Sequence, residues 1–180
     1  MNIVKQMMPD CYEETVFDID YERFYDEGIR YALFDVDSTF LPFDNIDVNE
    51  NHVTLFNGIK NLGMRVALYS NGKDSRVRPV AEVLEVEYVP SAFKPSNKKF
   101  KMIKDIFGEN FETSQTMFIG DSILCDMLFA GRNGMKKVLV DHIPDESFNF
   151  KGTVVSMIQV PASIMLKKEG FQYRKKHYSF

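Results

Sequence analysis

Four short runs of consecutive apolar residues decide most of what this chain can fold into: Tyr31-Ala-Leu-Phe34, Val66-Ala-Leu-Tyr69, Thr116-Met-Phe-Ile119 and Val138-Leu-Val140. Runs this short, without polar alternation, suit strands covered on both faces, as in a parallel sheet. A weaker fifth is Val86-Glu-Tyr-Val89. Between the runs, Val53, Phe56, Ile59 and Leu62 mark one helical face, and Phe100, Ile103, Ile106 and Phe107 mark another. Gly63 and Gly108 follow these faces and suit C-terminal caps. Strand then helix, repeated with short connections, predicts an α/β fold: an open, Rossmann-like parallel sheet with right-handed crossovers and helices on both faces.

The chain's 180 residues, 44% hydrophobic and 27% charged, fit one domain with a real core. Residues 1–29 read as a lead-in segment with a short helix around Tyr21 to Glu27, residues 30–142 as the core, and residues 143–180 as a C-terminal extension ending in a basic, aromatic stretch. A formal charge of -4 provides no general field for nucleic acid, so an anionic substrate needs a local positive site. The basic tail could make peripheral contact with an anionic membrane, although a solvated terminus is the plainer reading. Cys11 and Cys125 are too few for a disulfide framework. With no signal-peptide pattern and no run long enough to span a bilayer, a cytoplasmic location is expected.

In an open α/β sheet, ligands gather beyond the carboxyl ends of the strands. The residues there are Asp35-Val-Asp-Ser-Thr39, Ser70-Asn-Gly72, Phe93-Lys-Pro95 and Gly120-Asp-Ser-Ile-Leu-Cys-Asp126. Taken singly, each has a plain reading as a turn, a helix cap or a solvated lysine. Together they bring Asp35, Asp37, Asp121 and Asp126 toward one space, where close carboxylates repel unless a cation sits among them. Oxygen-only ligands suit Mg²⁺, which takes one or two carboxylates and favours substrate phosphate in its shell. Ser70, Lys94 and backbone N–H groups after Asp35 could hold the remaining phosphate oxygens, as a phosphoryl-transfer site requires.

The order Asp35-Val-Asp-Ser-Thr-Phe40, Ser70, Lys94 and Gly120-Asp-(x)4-Asp126 resembles the four motifs of the haloacid-dehalogenase-like (HAD) superfamily. Ahead of them, Pro9-Asp-Cys-Tyr12, Asp18-Ile-Asp20 and Gly28-Ile29 resemble the lead-in of its subfamily IIIA, the YqeG-like phosphatases. Those are in turn similar to phosphatidylglycerophosphate phosphatases. The resemblance implies a Mg²⁺-dependent phosphatase in which Asp35 is the nucleophile, forming an aspartyl-phosphate, and Asp37 the general acid and base. It implies Mg²⁺ held by Asp35, the Asp37 main-chain carbonyl and Asp121. Asp126 either reaches a metal-bound water or orients Lys94. Ser70 and Lys94 are expected to act in catalysis by clamping the phosphate, with Thr39 and Asn71 also binding it and helping to fix the loops.

Ser38 and Cys125 stand where this subfamily commonly has Asn and Thr, and neither change removes a charged group. Only about thirty residues separate Asp37 from Ser70 and about two dozen separate Ser70 from Lys94, lengths that the sheet's own helices consume, so a capless site is expected. An open site admits bulky phosphates, lipid head groups such as phosphatidylglycerophosphate among them. The rival reading is a non-catalytic phosphate-binding or assembly module on the same fold. His52, His142 and His177 stand isolated in sequence and read as structural, and Cys125 as a small hydrophobe.

Overall fold

The computed structural model describes residues 3–144 and 161–172. Its strands are β1 (Cys11–Glu13), β2 (Tyr31–Phe34), β3 (Arg65–Tyr69), β4 (Glu87–Val89), β5 (Thr116–Gly120) and β6 (Lys136–Val140). They form one sheet in the order β1-β6-β5-β2-β3-β4, with every pairing parallel. The helices are α1 (Ile3–Met7), α2 (Tyr21–Asp26), α3 (Glu50–Asn61), α4 (Asp74–Leu84), α5 (Phe100–Phe107) and α6 (Leu128–Arg132), with a further helix over 161–168. Among the described residues no helix is long and apolar enough to cross a membrane.

The expected open parallel sheet is present; the four apolar runs lie in β2, β3, β5 and β6, and the weaker fifth forms β4 from Glu87 onward. Alternate residues of β2 and β3 serve opposite faces. Phe34 and Leu68 pack with Phe56 and Ile59 of α3 and with Val77, Val80 and Leu84 of α4. Leu33, Ala67 and Tyr69 pack with Phe100, Ile103 and Phe107 of α5 and with Phe129 of α6. Both helical faces inferred from periodicity are therefore turned to the sheet, one on each side. Gly63 and Gly108 take positive φ, 94° and 85°, just past α3 and α5 as expected.

Two features extend the sequence reading. The lead-in supplies β1, a sixth strand that pairs parallel with β6 at the sheet edge, Tyr12 opposite Leu139. A third core cluster joins Met7, Tyr12, Met127, Leu128 and Leu139 to Ala162 and Leu166 of the 161–168 helix, so part of the C-terminal extension belongs to the packed body. The basic end of the tail and His177, at residues 173–180, lie outside the described residues.

Candidate active site

Register brings the motif residues to one level. Phe34 pairs with Leu68 on one side and Ile119 on the other, so β2, β3 and β5 end together. Asp35 continues the ladder for one more residue, its N–H donating to Ile119 O at 2.9 Å. Val36 then points into the core, which leaves Asp35 and Asp37 on the shared upper side. The chain turns sharply here. Ser38 has φ 60°, and the N–H groups of Thr39, Phe40 and Leu41 all converge on Val36 O at 3.3 to 3.4 Å.

Lys94 is the hub. Its side chain is fully buried, with Nζ 2.6 Å from Asp126 Oδ1 and 2.9 Å from Asp35 Oδ1. Burial alone would lower the ammonium's pKa, but Asp126 and then Asp35 hold it above the ordinary lysine range. Asn71 fixes the Lys94 loop from below, accepting from Lys94 N–H at 2.8 Å and donating to Lys94 O at 3.2 Å. One of its two amide N–H donors and its carbonyl oxygen are thus used to hold the loop. Ser70 is buried, and its hydroxyl accepts from Gly72 N–H at 3.1 Å while retaining its own proton to donate.

Asp126 comes from a single π-turn, Ile123–Met127, that begins at the Ser122 cap; the Ser122 hydroxyl accepts from Cys125 N–H. Such turns concentrate at functional sites because the extra residue re-aims a side chain. Here it folds Asp126 back over the end of β5, where its Oδ2 accepts from Ser122 N–H at 3.0 Å. Burial pushes the Asp126 carboxyl up, to about 7, with Lys94 pulling it down and the Asp35 and Asp121 charges adding to the rise.

Asp121 is held at both oxygens. Thr39 donates to its Oδ1 at 3.1 Å, and His142 Nδ1 lies 2.7 Å from its Oδ2. The Thr39 hydroxyl is therefore turned to a carboxylate and not free for substrate. The turn after β6 is pinned above the first motif, Ile143 N–H donating to Ser38 O at 2.8 Å. His142 is a site residue that sequence reading passed over, since nothing near it in sequence marks it. Arg76 is another: its Nε donates to Asp37 Oδ1. A cation in the first turn of a helix opposes the helix dipole, a misfit that shows only once the start of α4 is known. Asp37 has its pKa raised, chiefly by burial, with the Arg76 hydrogen bond opposing and the Asp35 charge adding.

Asp35, Asp121 and Asp126 are all buried and each offers an oxygen within 4.8 Å of the others. Lys94 offsets only part of that charge. An all-oxygen donor set with surplus negative charge fits a small hard cation. His52, by contrast, lies in the structural role expected of it, bonded to Asn49 and Phe40 at the start of α3.

Residues 6–134 match the family profile of the haloacid dehalogenase-like hydrolases. The chain is 26% identical over 136 residues, 76% of its own length and 78% of the relative's, to the Bacillus subtilis (strain 168) protein named "Probable phosphatase YqeG". Among solved structures it is similar to the 3-deoxy-D-manno-octulosonate 8-phosphate phosphatase of Moraxella catarrhalis in complex with magnesium and phosphate ions and KDO. The TM-score is 0.48 at 16% identity, covering 82% of this chain and 96% of that one. It is also similar to the cobalt-bound form of the deoxy-D-mannose-octulosonate 8-phosphate phosphatase of Haemophilus influenzae, with TM-score 0.44 at 19% identity, covering 81% and 97%.

Proposed function

The chain belongs to the haloacid dehalogenase-like hydrolases, and from that premise we propose that it is a Mg²⁺-dependent phosphomonoesterase that works through a phosphorylated Asp35. The carrying observation is the buried Lys94 ammonium shared between Asp35 and Asp126, with Asp121 completing a tight acid cluster. A nucleophile held this way is aligned and desolvated, and the surplus negative charge beside it calls for a cation before a phosphate dianion can enter.

An Asp35 carboxylate oxygen forms a bond to phosphorus as the ester P–O bond breaks, and Asp37 gives its proton to the departing oxygen. Asp37 then takes a proton from water as the water oxygen bonds to phosphorus. The Asp35–phosphorus bond breaks, and inorganic phosphate and the Asp35 carboxylate are regenerated. Burial holds Asp37 toward its neutral form, as the first step requires. The Ser70 hydroxyl and the Lys94 ammonium offset charge on the transferring group, while Thr39 and Asn71 serve indirectly by fixing Asp121 and the Lys94 loop. Mg²⁺, when bound, supplies charge neutralisation at the phosphoryl oxygens; Asp35, Asp121 and the Asp37 main-chain carbonyl would hold it. Asp126 Oδ1 lies 2.6 Å from Lys94 Nζ, which supports Asp126 as the residue that orients Lys94.

The stretch from Asp37 to Ser70 holds a loop, α3 and β3, and that from Ser70 to Lys94 holds α4 and β4. We read the entrance as open and the substrate as a bulky phosphate monoester, with phosphatidylglycerophosphate the lipid candidate. Phosphate release should require Mg²⁺ and stop with a chelator. Asp35→Asn should lower kcat by several orders of magnitude, as removal of a nucleophile does, and abolish a hydroxylamine-sensitive phosphoenzyme. Full turnover by Asp35→Asn, or binding of phosphate esters without turnover by the native chain, would leave a phosphate-binding module instead. Activity on a soluble sugar phosphate but none on phosphatidylglycerophosphate vesicles would remove the lipid assignment.

A further inference from the structure

The Arg76 guanidinium lies between two parts of the site that the four motifs do not join. It sits in the first turn of α4, just past Ser70-Asn-Gly72, and reaches across to the first motif. Its Nε donates to Asp37 Oδ1, and its Nη2 donates to Pro42 O at 2.7 Å and Asn45 O at 3.3 Å. The Phe43 ring centre lies 5.3 Å from its Cζ. Two carbonyls and an aromatic ring therefore set where the guanidinium lies independently of Asp37. The Arg76 and Asp37 side chains are 18% and 17% exposed, so the pair is screened far less than a surface ion pair.

The other carboxylate oxygen faces the second motif. A methyl group placed on Gly72 would lie 2.9 Å from Asp37 Oδ2 and 3.3 Å from Ser70 Oγ. One oxygen of Asp37 is thus pinned and the other turned toward the Ser70 side of the site. The arginine cannot exchange its proton in this range and its planar fork holds a fixed direction, so it can orient a proton donor without competing with it.

We infer that Arg76 is a positioning residue for proton transfer: it clamps Asp37 Oδ1 so that Oδ2 presents the proton to the departing oxygen, and afterwards receives one from water. This rests on the reading of Asp37 as general acid. The alternative is a structural tie between α4 and residues 42–45, and leaving-group chemistry separates the two. p-Nitrophenyl phosphate releases a phenolate that needs little protonation, whereas an alkyl phosphate releases an alkoxide that cannot leave without it.

The test compares kcat/KM of the Mg²⁺-loaded full chain, which covers the reaction only through phosphorylation of Asp35 and departure of the leaving group, on p-nitrophenyl phosphate and on ethyl phosphate, for the native protein, Arg76→Gln and Arg76→Lys. The loss in both variants should be at least about tenfold greater on the alkyl ester, within the range that general acid catalysis supplies. Equal losses on both esters, or none, would overturn the assignment. Crystal structures of the variants give a readout without turnover: Asp37 rotated from its native rotamer supports the clamp, and Asp37 unmoved overturns it. If the native protein hydrolyses neither small ester, the Asp37 rotamer alone decides the role of Arg76. If Arg76→Gln fails to fold, Arg76→Lys carries both measurements.

Discussion

A methyl group at position 120 would stand 2.4 Å from Asp126 Oδ2 and 2.7 Å from its Cβ, and this contact explains why the last residue of β5 has no side chain. Asp126 must fold back against the strand end to reach Lys94, and only glycine leaves that room. Gly120→Ala should displace Asp126, cost about 1–3 kcal/mol in urea unfolding and abolish phosphate release. Gly58→Ala on α3, where a methyl would meet nothing within 4 Å, should keep native stability or exceed it by up to about 1 kcal/mol. Equal behaviour of the two would show that Asp126 has somewhere else to go. Sequence made the charged members of this cluster legible, because Asp35, Asp37, Lys94, Asp121 and Asp126 each follow a strand-like run. It could not show that Asn71 holds the Lys94 loop, that Thr39 donates to Asp121, or that His142 reaches Asp121, since those contacts span from 21 to 82 residues of chain.

Helix α3 begins with a reciprocal cap in which Asn49 Oδ1 accepts from His52 N–H and His52 Nδ1 accepts from Asn49 N–H, each at 3.2 Å. With Nδ1 accepting, Nε2 carries the proton and donates to Phe40 O at 3.0 Å. The fold therefore needs neutral imidazole, and burial lowers the His52 pKa, opposed by the Phe40 carbonyl. A base depressed on folding stabilises the native state fully above its ordinary value near 6.5, and that stability drains away as pH falls below it. His52→Gln keeps a residue suited to the cap but removes the titration. The native chain should lose more unfolding free energy than the variant between pH 7.5 and pH 5.5. Parallel losses in denaturant titrations would show that His52 does not couple folding to protons. At this scale the apolar runs and the faces of α3 and α5 were readable in the sequence. Helix α4 was harder, because Pro79 lies inside it and proline ordinarily ends a helical reading. Strand β1 was missed because three residues, Cys-Tyr-Glu, carry too little pattern to mark a strand.

At the scale of the whole fold, the described part of the N-terminal segment packs against the elements that carry the site. Strand β1 covers the edge of β6, and α1 lies against α6, which follows directly from the π-turn that carries Asp126. The approach is close: a methyl on Gly131 would lie 2.0 Å from Gln6 O and 2.7 Å from its carbonyl carbon. Gly131→Ala should force α1 away, costing about 1–3 kcal/mol as overpacking does, and expose residues 3–13 to proteolysis faster than the other described residues. An unchanged cleavage pattern would mean that α1 is not held through this contact.

Composition and periodicity alone determined the open parallel sheet, because strands buried on both faces must be apolar throughout and helices packed on them must carry a stripe. The same order of residues determined which acids and which lysine stand at the strand ends, since chemistry in such a sheet collects where strands stop. Only the tertiary structure decided how those groups are paired: Lys94 between Asp35 and Asp126, Arg76 against Asp37, His142 and Thr39 on Asp121. Pairing depends on distances of a few ångströms between segments far apart in the chain. Those distances follow from sheet register and backbone turns, which local sequence constrains weakly, whereas burial runs the whole length of the central strands β2 and β5 and so leaves its mark in the sequence itself.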